Sequence, residues 1–128
     1  MSALVTVDPD DPTPPYEQVR RQLADLIGVG RLAPGDRVPP LRQLAGDLGL
    51  AVGTVARAYR ELESAGLLES RRGGGTRVAR SVGAAGGSAV AATAQRVDEL
   101  AASYVMRART LGADDGAIRD AVRRRLGW

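Results

Sequence analysis

Hydrophobic residues recur at helical spacing three times in the first half of the chain. After Thr13-Pro14-Pro15, where proline suits a first helical turn, one apolar stripe occupies Tyr16, Val19, Leu23, Leu26 and Ile27. Two shorter stripes follow in the same steps of three and four residues: Leu41, Leu44, Ala45 and Leu48, then Val55, Ala58, Tyr59 and Leu62. Because only a tight turn with Gly49 separates the two, they predict a helix-turn-helix, although a plain hairpin of helices would show the same spacing.

The residues that follow predict a β-hairpin. Residues 67–71 and 76–79 can each form a strand, and Arg72-Gly73-Gly74-Gly75 between them forms a turn or a flexible tip. Earlier in the chain, Arg37-Val38 makes a short extended piece before a proline. A hairpin directly after a helix-turn-helix makes a winged helix. Three arginines put positive charge on this hairpin: Arg71, Arg72 and Arg77.

The remaining residues predict an arm, a linker and a helical tail. Residues 1–13, rich in Asp and Pro, indicate an extended or disordered arm, and the small residues at 80–89 indicate a linker. Beyond the linker, apolar residues recur every seven positions at Val90, Val97, Tyr104 and Leu111, with Ala94, Ala101 and Ala108 four after the first three. This heptad-like pattern predicts one helix. A second helix, N-capped by Asp114, has its apolar face at Ile118, Ala121, Val122 and Leu126.

These patterns predict a mainly α fold with a small β-hairpin. A winged helix-turn-helix occupies residues 14–79, and a two-helix dimerisation tail occupies residues 90–128. The tail has little of its own to cover its apolar seam, so we expect two copies of the tail to pack together. The residues assigned to this contact are Val97, Leu100, Ala101, Tyr104, Ala108, Leu111, Ile118 and Val122.

The composition removes most catalytic chemistry. All 18 basic residues are arginine, and the chain has no lysine, histidine or cysteine. These absences exclude a Schiff-base lysine, a nucleophile–histidine pair and a Cys/His zinc site. A carboxylate-only enzyme or a Mg²⁺ site stays formally open, but we predict no enzyme and no cofactor. No signal peptide or membrane span is evident, so we expect a cytoplasmic protein without a membrane partner.

Charge points to an anionic partner. Residues 37–80 hold eight arginines against four acidic residues, whereas residues 1–12 hold three aspartates and no basic residue. A basic middle segment favours nucleic acid as the partner. The alternative is a merely solvated arginine-rich surface.

An ordered set of residues makes 14–79 resemble the DNA-binding domain of GntR-type bacterial transcription regulators. The matching segments are Pro15–Val19, Gly30–Pro39, Arg42–Ala45, Leu48–Leu50, Thr54–Leu62, Gly66–Leu68 and Gly73–Val78. The short tail looks like that of the YtrA-type subfamily. The resemblance implies a winged helix that dimerises through its tail and binds a double-stranded DNA operator. It also implies DNA contacts by Arg42, Thr54, Arg72 and Gly73. The chain departs from the family at Pro40, where serine is usual, and at Ala51-Val52-Gly53, where polar residues are usual.

The residues themselves add further candidates. Arg57 and Arg60 lie off the apolar stripe of the second short helix and can fork onto guanine or clamp phosphate. Gly74 and Arg77 belong to the predicted wing. Thr54 has the alternative role of a helix cap, and Tyr59 is favoured as a core residue.

The leading interpretation is a homodimeric repressor that binds a palindromic operator and blocks polymerase. The alternative is a winged-helix module that docks a protein and not DNA. An unidentified small-molecule effector stays open as a further partner.

Overall fold

The computed structural model describes residues 4–81 and 89–127. Its elements follow in the order α1 (Pro15–Gly28), α2 (Leu41–Leu48), α3 (Val52–Ser64), β1 (Leu68–Arg71), β2 (Gly75–Val78), α4 (Ala89–Thr110) and α5 (Asp115–Leu126). The chain forms two compact units, Met1–Ala92 and Thr93–Trp128. The predicted fold class, mainly helical with one small hairpin, is confirmed.

The core of the first unit lies where α1 and α2 pack on α3. All three apolar stripes predicted from the sequence contribute to it, because each helix buries the side on which its apolar residues align. The fully buried side chains include Val19 and Leu23 of α1, Leu44 of α2, and Val55 and Leu62 of α3. Tyr59 is buried as predicted.

The N-terminal segment is part of this core. It runs extended along α1, and Val5 is only 1% exposed. Two glutamine side chains of α1 form hydrogen bonds with the backbone of this segment, as a neighbouring strand would. Gln22 exchanges hydrogen bonds with the backbone of Thr6, and Gln18 does the same with Asp8 at 2.9 and 3.0 Å. Of the two alternatives predicted from the sequence, an extended and a disordered arm, the structure has the extended one, and it is packed against the core.

The wing is a two-stranded antiparallel sheet in which Leu68 pairs with Val78 and Arg71 with Gly75. The extended segment before α2 pairs with β2 over a short stretch. Arg37 bridges to Arg77, and the Val38 N–H donates to the Thr76 carbonyl at 3.0 Å. The hairpin is thus anchored to the segment that leads into α2.

Both helices of the helix-turn-helix begin without a side-chain cap. Pro40 precedes α2 and Ala51 precedes α3, and neither offers a capping hydrogen bond. The first helix ends at Gly49, whose left-handed φ of 68° suits glycine. The alternative in which Thr54 caps α3 is wrong, because Thr54 is the third residue inside that helix.

The second unit pairs the C-terminal part of α4 with α5. Tyr104 donates a hydrogen bond from its hydroxyl to the Ile118 carbonyl at 3.0 Å, and Ile118 is 8% exposed. Asp114 caps α5, as predicted, by accepting from the Ala117 N–H at 2.8 Å. Leu111 lies one residue past the end of α4, so the predicted seam continues beyond the helix that should carry it. Residues 82–88 of the predicted linker lie outside the described residues.

Candidate nucleic-acid interface

The second helix of the helix-turn-helix has one buried and one outward side. Its buried residues all belong to the apolar stripe, and the outward side therefore falls on the positions between them. Gly53, Arg57 and Arg60 are exposed on that side, and Ala56 is half-buried. In a helix-turn-helix this side of α3 enters the major groove.

Tyr59 fixes how α3 meets the start of α2. Its hydroxyl donates a hydrogen bond of 2.6 Å to the carbonyl of Pro39, twenty residues earlier in the chain. Burial raises the pKa of the Tyr59 phenol to about 12, because the charged phenolate is disfavoured away from water. The hydroxyl therefore stays protonated at neutral pH and keeps donating to Pro39.

Two arginines of the helix-turn-helix project freely. Arg42 occupies the first turn of α2, and Arg60 lies two turns into α3; both are exposed. Within residues 4–81 and 89–127, neither guanidinium forms a hydrogen bond or an ion pair. Each guanidinium is thus available to an external anion.

Arg57 is held by its neighbours. Its guanidinium carbon lies 3.6 Å from the ring centroid of Tyr16 in α1, and its Nε lies 3.2 Å from a carboxylate oxygen of Glu61. Stacking on an aromatic face and pairing with an acid both hold the guanidinium in this position. This contact could not be predicted from the sequence, because Tyr16 belongs to the apolar stripe of another helix.

Three arginines on the wing and on the segment beside it differ in what they contact. Arg72 at the tip is exposed and has no hydrogen bond or ion pair to a described residue. Arg77 is half-buried and donates to the Gly35 carbonyl at 3.1 Å, so it helps to anchor the hairpin. Arg37, which the sequence analysis missed as a candidate, donates to the carbonyl of Gly74 at 3.2 Å.

Glycine at the wing tip follows from the backbone. Gly73 has a φ of 76° and Gly75 has a φ of 71°, a left-handed conformation that other residues rarely adopt. A side chain on Gly74 would lie 3.3 Å from the Cβ of Arg71, tighter than most such contacts. The tip is therefore narrow, with Arg72 as its projecting side chain.

Other chemistry has little support in the part of the chain that the structure describes. No group of three acidic side chains there could hold a metal ion. No helix in the same ranges has the length and apolar character that a membrane span needs.

Helices α2 and α3 with the following hairpin form a winged helix-turn-helix. Residues 15–78 match the family described as bacterial regulatory proteins, gntR family. The match covers half of the chain, and the protein therefore belongs to the gntR family. The predicted resemblance is confirmed.

Similar proteins agree with this membership. A transcriptional regulator of the HTH type from Mycobacterium tuberculosis is 52% identical over 67 residues, which are 52% of this chain and 55% of that protein. The HTH-type transcriptional repressor YtrA of Bacillus subtilis is 38% identical over 78 residues, covering 61% of this chain and 60% of YtrA. The alignments thus span little more than half of these relatives.

A solved structure connects the fold to DNA. The DNA-binding domain of AraR, in complex with operator ORX1, is 32% identical to this chain, with a TM-score of 0.52. The match covers 59% of this chain and 93% of the AraR domain.

Proposed function

We propose that this protein is a homodimeric transcription repressor that binds a palindromic DNA operator through its winged helix-turn-helix. One observation carries the proposal: α2, α3 and the wing each present an exposed arginine without a partner among the described residues. These are Arg42, Arg60 and Arg72. Three such cations on the three elements that meet DNA in a winged helix match the phosphate backbone and the groove edges.

The three arginines have different roles in this proposal. Arg42 stands at the start of α2 and contacts phosphate, where uncapped backbone N–H groups add to the attraction. Arg60 lies on the outward side of α3 and approaches base edges or phosphate. Arg72 enters the minor groove, whose negative potential is enhanced where it is narrow and rich in A·T pairs. Thr54, Arg57, Gly73, Gly74 and Arg77 complete the predicted contact set.

Dimerisation through the tail brings two such domains onto one site. Val97 is 57% exposed on α4, and Leu100, Tyr104 and Val122 are also exposed apolar residues of the tail. A second copy of the tail would remove this surface from water. Ile118 is already covered within its own chain, and Leu111 is 88% exposed, beyond the helix.

Repression would result from the binding of the dimer at a promoter. A dimer on a promoter would exclude polymerase sterically, and the relative YtrA is named a repressor. A protein that acts in this way on chromosomal DNA works in the cytoplasm.

The test of DNA binding starts from a random pool of duplex DNA, from which the full chain selects its own sites. Fluorescence anisotropy then compares the wild type with Arg42→Ala, Arg60→Ala and Arg72→Ala. Each variant should lose about 5- to 150-fold in affinity if the arginine contacts a base, or show a shallower salt slope if it contacts phosphate. Arg21→Ala is the matched control, because it removes an exposed arginine from α1. Failure to enrich any sequence would favour the protein-docking alternative.

The test of dimerisation uses sedimentation of two charge substitutions on α4. Val97→Glu places a carboxylate on the predicted seam, and Met106→Glu places one nine residues later, on the opposite side of the helix. We expect the wild type and Met106→Glu to sediment as dimers at micromolar concentration and Val97→Glu as a monomer. A monomeric wild type would refute this part of the proposal.

A further inference from the structure

The first turn of α3 presents a hydrophobic side chain to solvent where a DNA-reading helix needs a base contact. Val52 is the first residue of this helix and is 37% exposed. Leu50 before it packs against the core, and Val55 after it lies inside the core, but Val52 belongs to neither group. Its exposure is therefore not a by-product of core packing.

The exposed side chains next to Val52 cannot form a hydrogen bond with a base edge. Ala51 and Gly53 are exposed, Ala56 is half-buried, and all three lack polar side-chain atoms. Thr54, the polar residue of this turn, is half-buried. Any discrimination by the exposed residues of the turn must come from shape and apolar contact.

The major groove offers one apolar feature at a base edge, the C5-methyl group of thymine. Gly53 allows the backbone of α3 to come close to DNA. The position that a Cβ would occupy there has no protein atom within 4 Å, so it is open to a ligand. Arg57 and Arg60 lie further along the same helix and supply the positive charge that draws it to DNA. Val52 would then be pressed against the base edges, while the arginines meet phosphate or guanine.

We propose that Val52 is a specificity-determining residue that reads a thymine methyl group by van der Waals contact. The inference rests on the proposed function, since it requires α3 to lie in the major groove. It makes a definite statement about the operator: each half-site has a thymine whose methyl group, and not its hydrogen-bonding pattern, is recognised.

The test uses duplex DNA that the full wild-type chain has enriched from a random pool. Each thymine is replaced in turn by deoxyuridine, which pairs like thymine and lacks only the methyl group. The wild type should lose about fourfold in affinity at one thymine per half-site, which corresponds to about 0.8 kcal/mol for one buried methyl group. Val52→Ala should bind thymine and deoxyuridine at that position within twofold of each other. Met106→Ala, which shortens an exposed side chain on the side of α4 opposite the predicted seam, is the control and should keep the wild-type difference.

A second measurement needs only the wild type, so it holds even if Val52→Ala binds DNA poorly. The T·A pair is replaced by C·G and by 5-methylcytosine·G, and the methylated pair should recover part of the lost affinity. An absent deoxyuridine effect, or one of the same size in Val52→Ala, would overturn the inference and leave DNA binding intact. If no sequence is enriched from the pool, the proposed function fails first.

Discussion

Replacing Gly53 by alanine should make the protein more stable and at the same time a weaker DNA binder. Gly53 is the second residue of α3, and glycine inside a helix costs about 0.5–1 kcal/mol relative to alanine. A new Cβ there would meet nothing within 4 Å, so no clash offsets the gain in the free protein. Near a helix end the lower value applies. We therefore expect a gain of about 0.5 kcal/mol, or about 2–4 °C in Tm.

The effect on binding has the opposite sign. In the proposed complex the backbone at Gly53 faces the base edges, and a methyl group there would have to be fitted into a packed interface. Inserting one such group into a packed interior costs about 1–3 kcal/mol. That range corresponds to a loss of about 5- to 150-fold in affinity.

Gly46→Ala provides the matched control. Gly46 is an exposed glycine of α2, and a Cβ on it would also meet nothing within 4 Å. Thermal melting should show both variants stabilised, and anisotropy on the selected DNA should show a loss only for Gly53→Ala. If Gly53→Ala binds as tightly as the wild type, the outward side of α3 is not pressed against the bases.

Three further predictions concern stability. Gln18→Leu should cost about 2–4 kcal/mol in urea unfolding, because it leaves the backbone groups of Asp8 without the hydrogen bonds that Gln18 now makes. Gln22→Leu, whose hydrogen bonds to Thr6 are exposed, should cost less than about 1 kcal/mol, and equal losses would contradict this. Tyr59 keeps its proton to about pH 12 in the folded protein and to about pH 10 in the unfolded chain, so the unfolded chain binds fewer protons between these pH values. The free energy of unfolding of the wild type should therefore fall by about 2–3 kcal/mol more than that of Tyr59→Phe over this range. Equal losses of unfolding free energy in the two proteins over this pH range would refute the expectation. Asp114→Ala should lower the stability of the tail by about 0.5–2 kcal/mol, seen as lost helicity in circular dichroism on heating, and an unchanged melt would count against the cap.

Elements with a strong local signal are the ones that sequence predicts well. The stripes at α2 and α3 lie within a few residues of each other, and Gly49 stops the first of them through its own backbone preference. The hairpin is predicted for the same reason, since the glycine run at its tip favours a turn locally. Patterns of this kind need no knowledge of what the element packs against.

The N-terminal segment shows where such reasoning ends. Val5 and Val7 alternate with a polar residue over too short a stretch to mark a core strand, and the Asp- and Pro-rich residues that follow resemble a flexible arm. It is held by the side-chain amides of Gln18 and Gln22, which lie on the next helix. A glutamine that acts as a strand partner looks like any polar helical residue until the tertiary contact is known.

Arginine chemistry is hidden from sequence for the same physical reason. The sequence shows how many arginines there are, but which of them already have a partner depends on the tertiary structure. Arg77 is half-buried on the Gly35 carbonyl, so moving it to DNA would leave a polar group without its bond. Arg57 is bound more loosely, because an exposed stacking contact is worth about 0.5–1 kcal/mol and an exposed ion pair about 0–1 kcal/mol. A base contact worth about 1–3 kcal/mol can exceed that loss. The net gain from Arg57 is then smaller than that from Arg60, which gives up no described partner on binding.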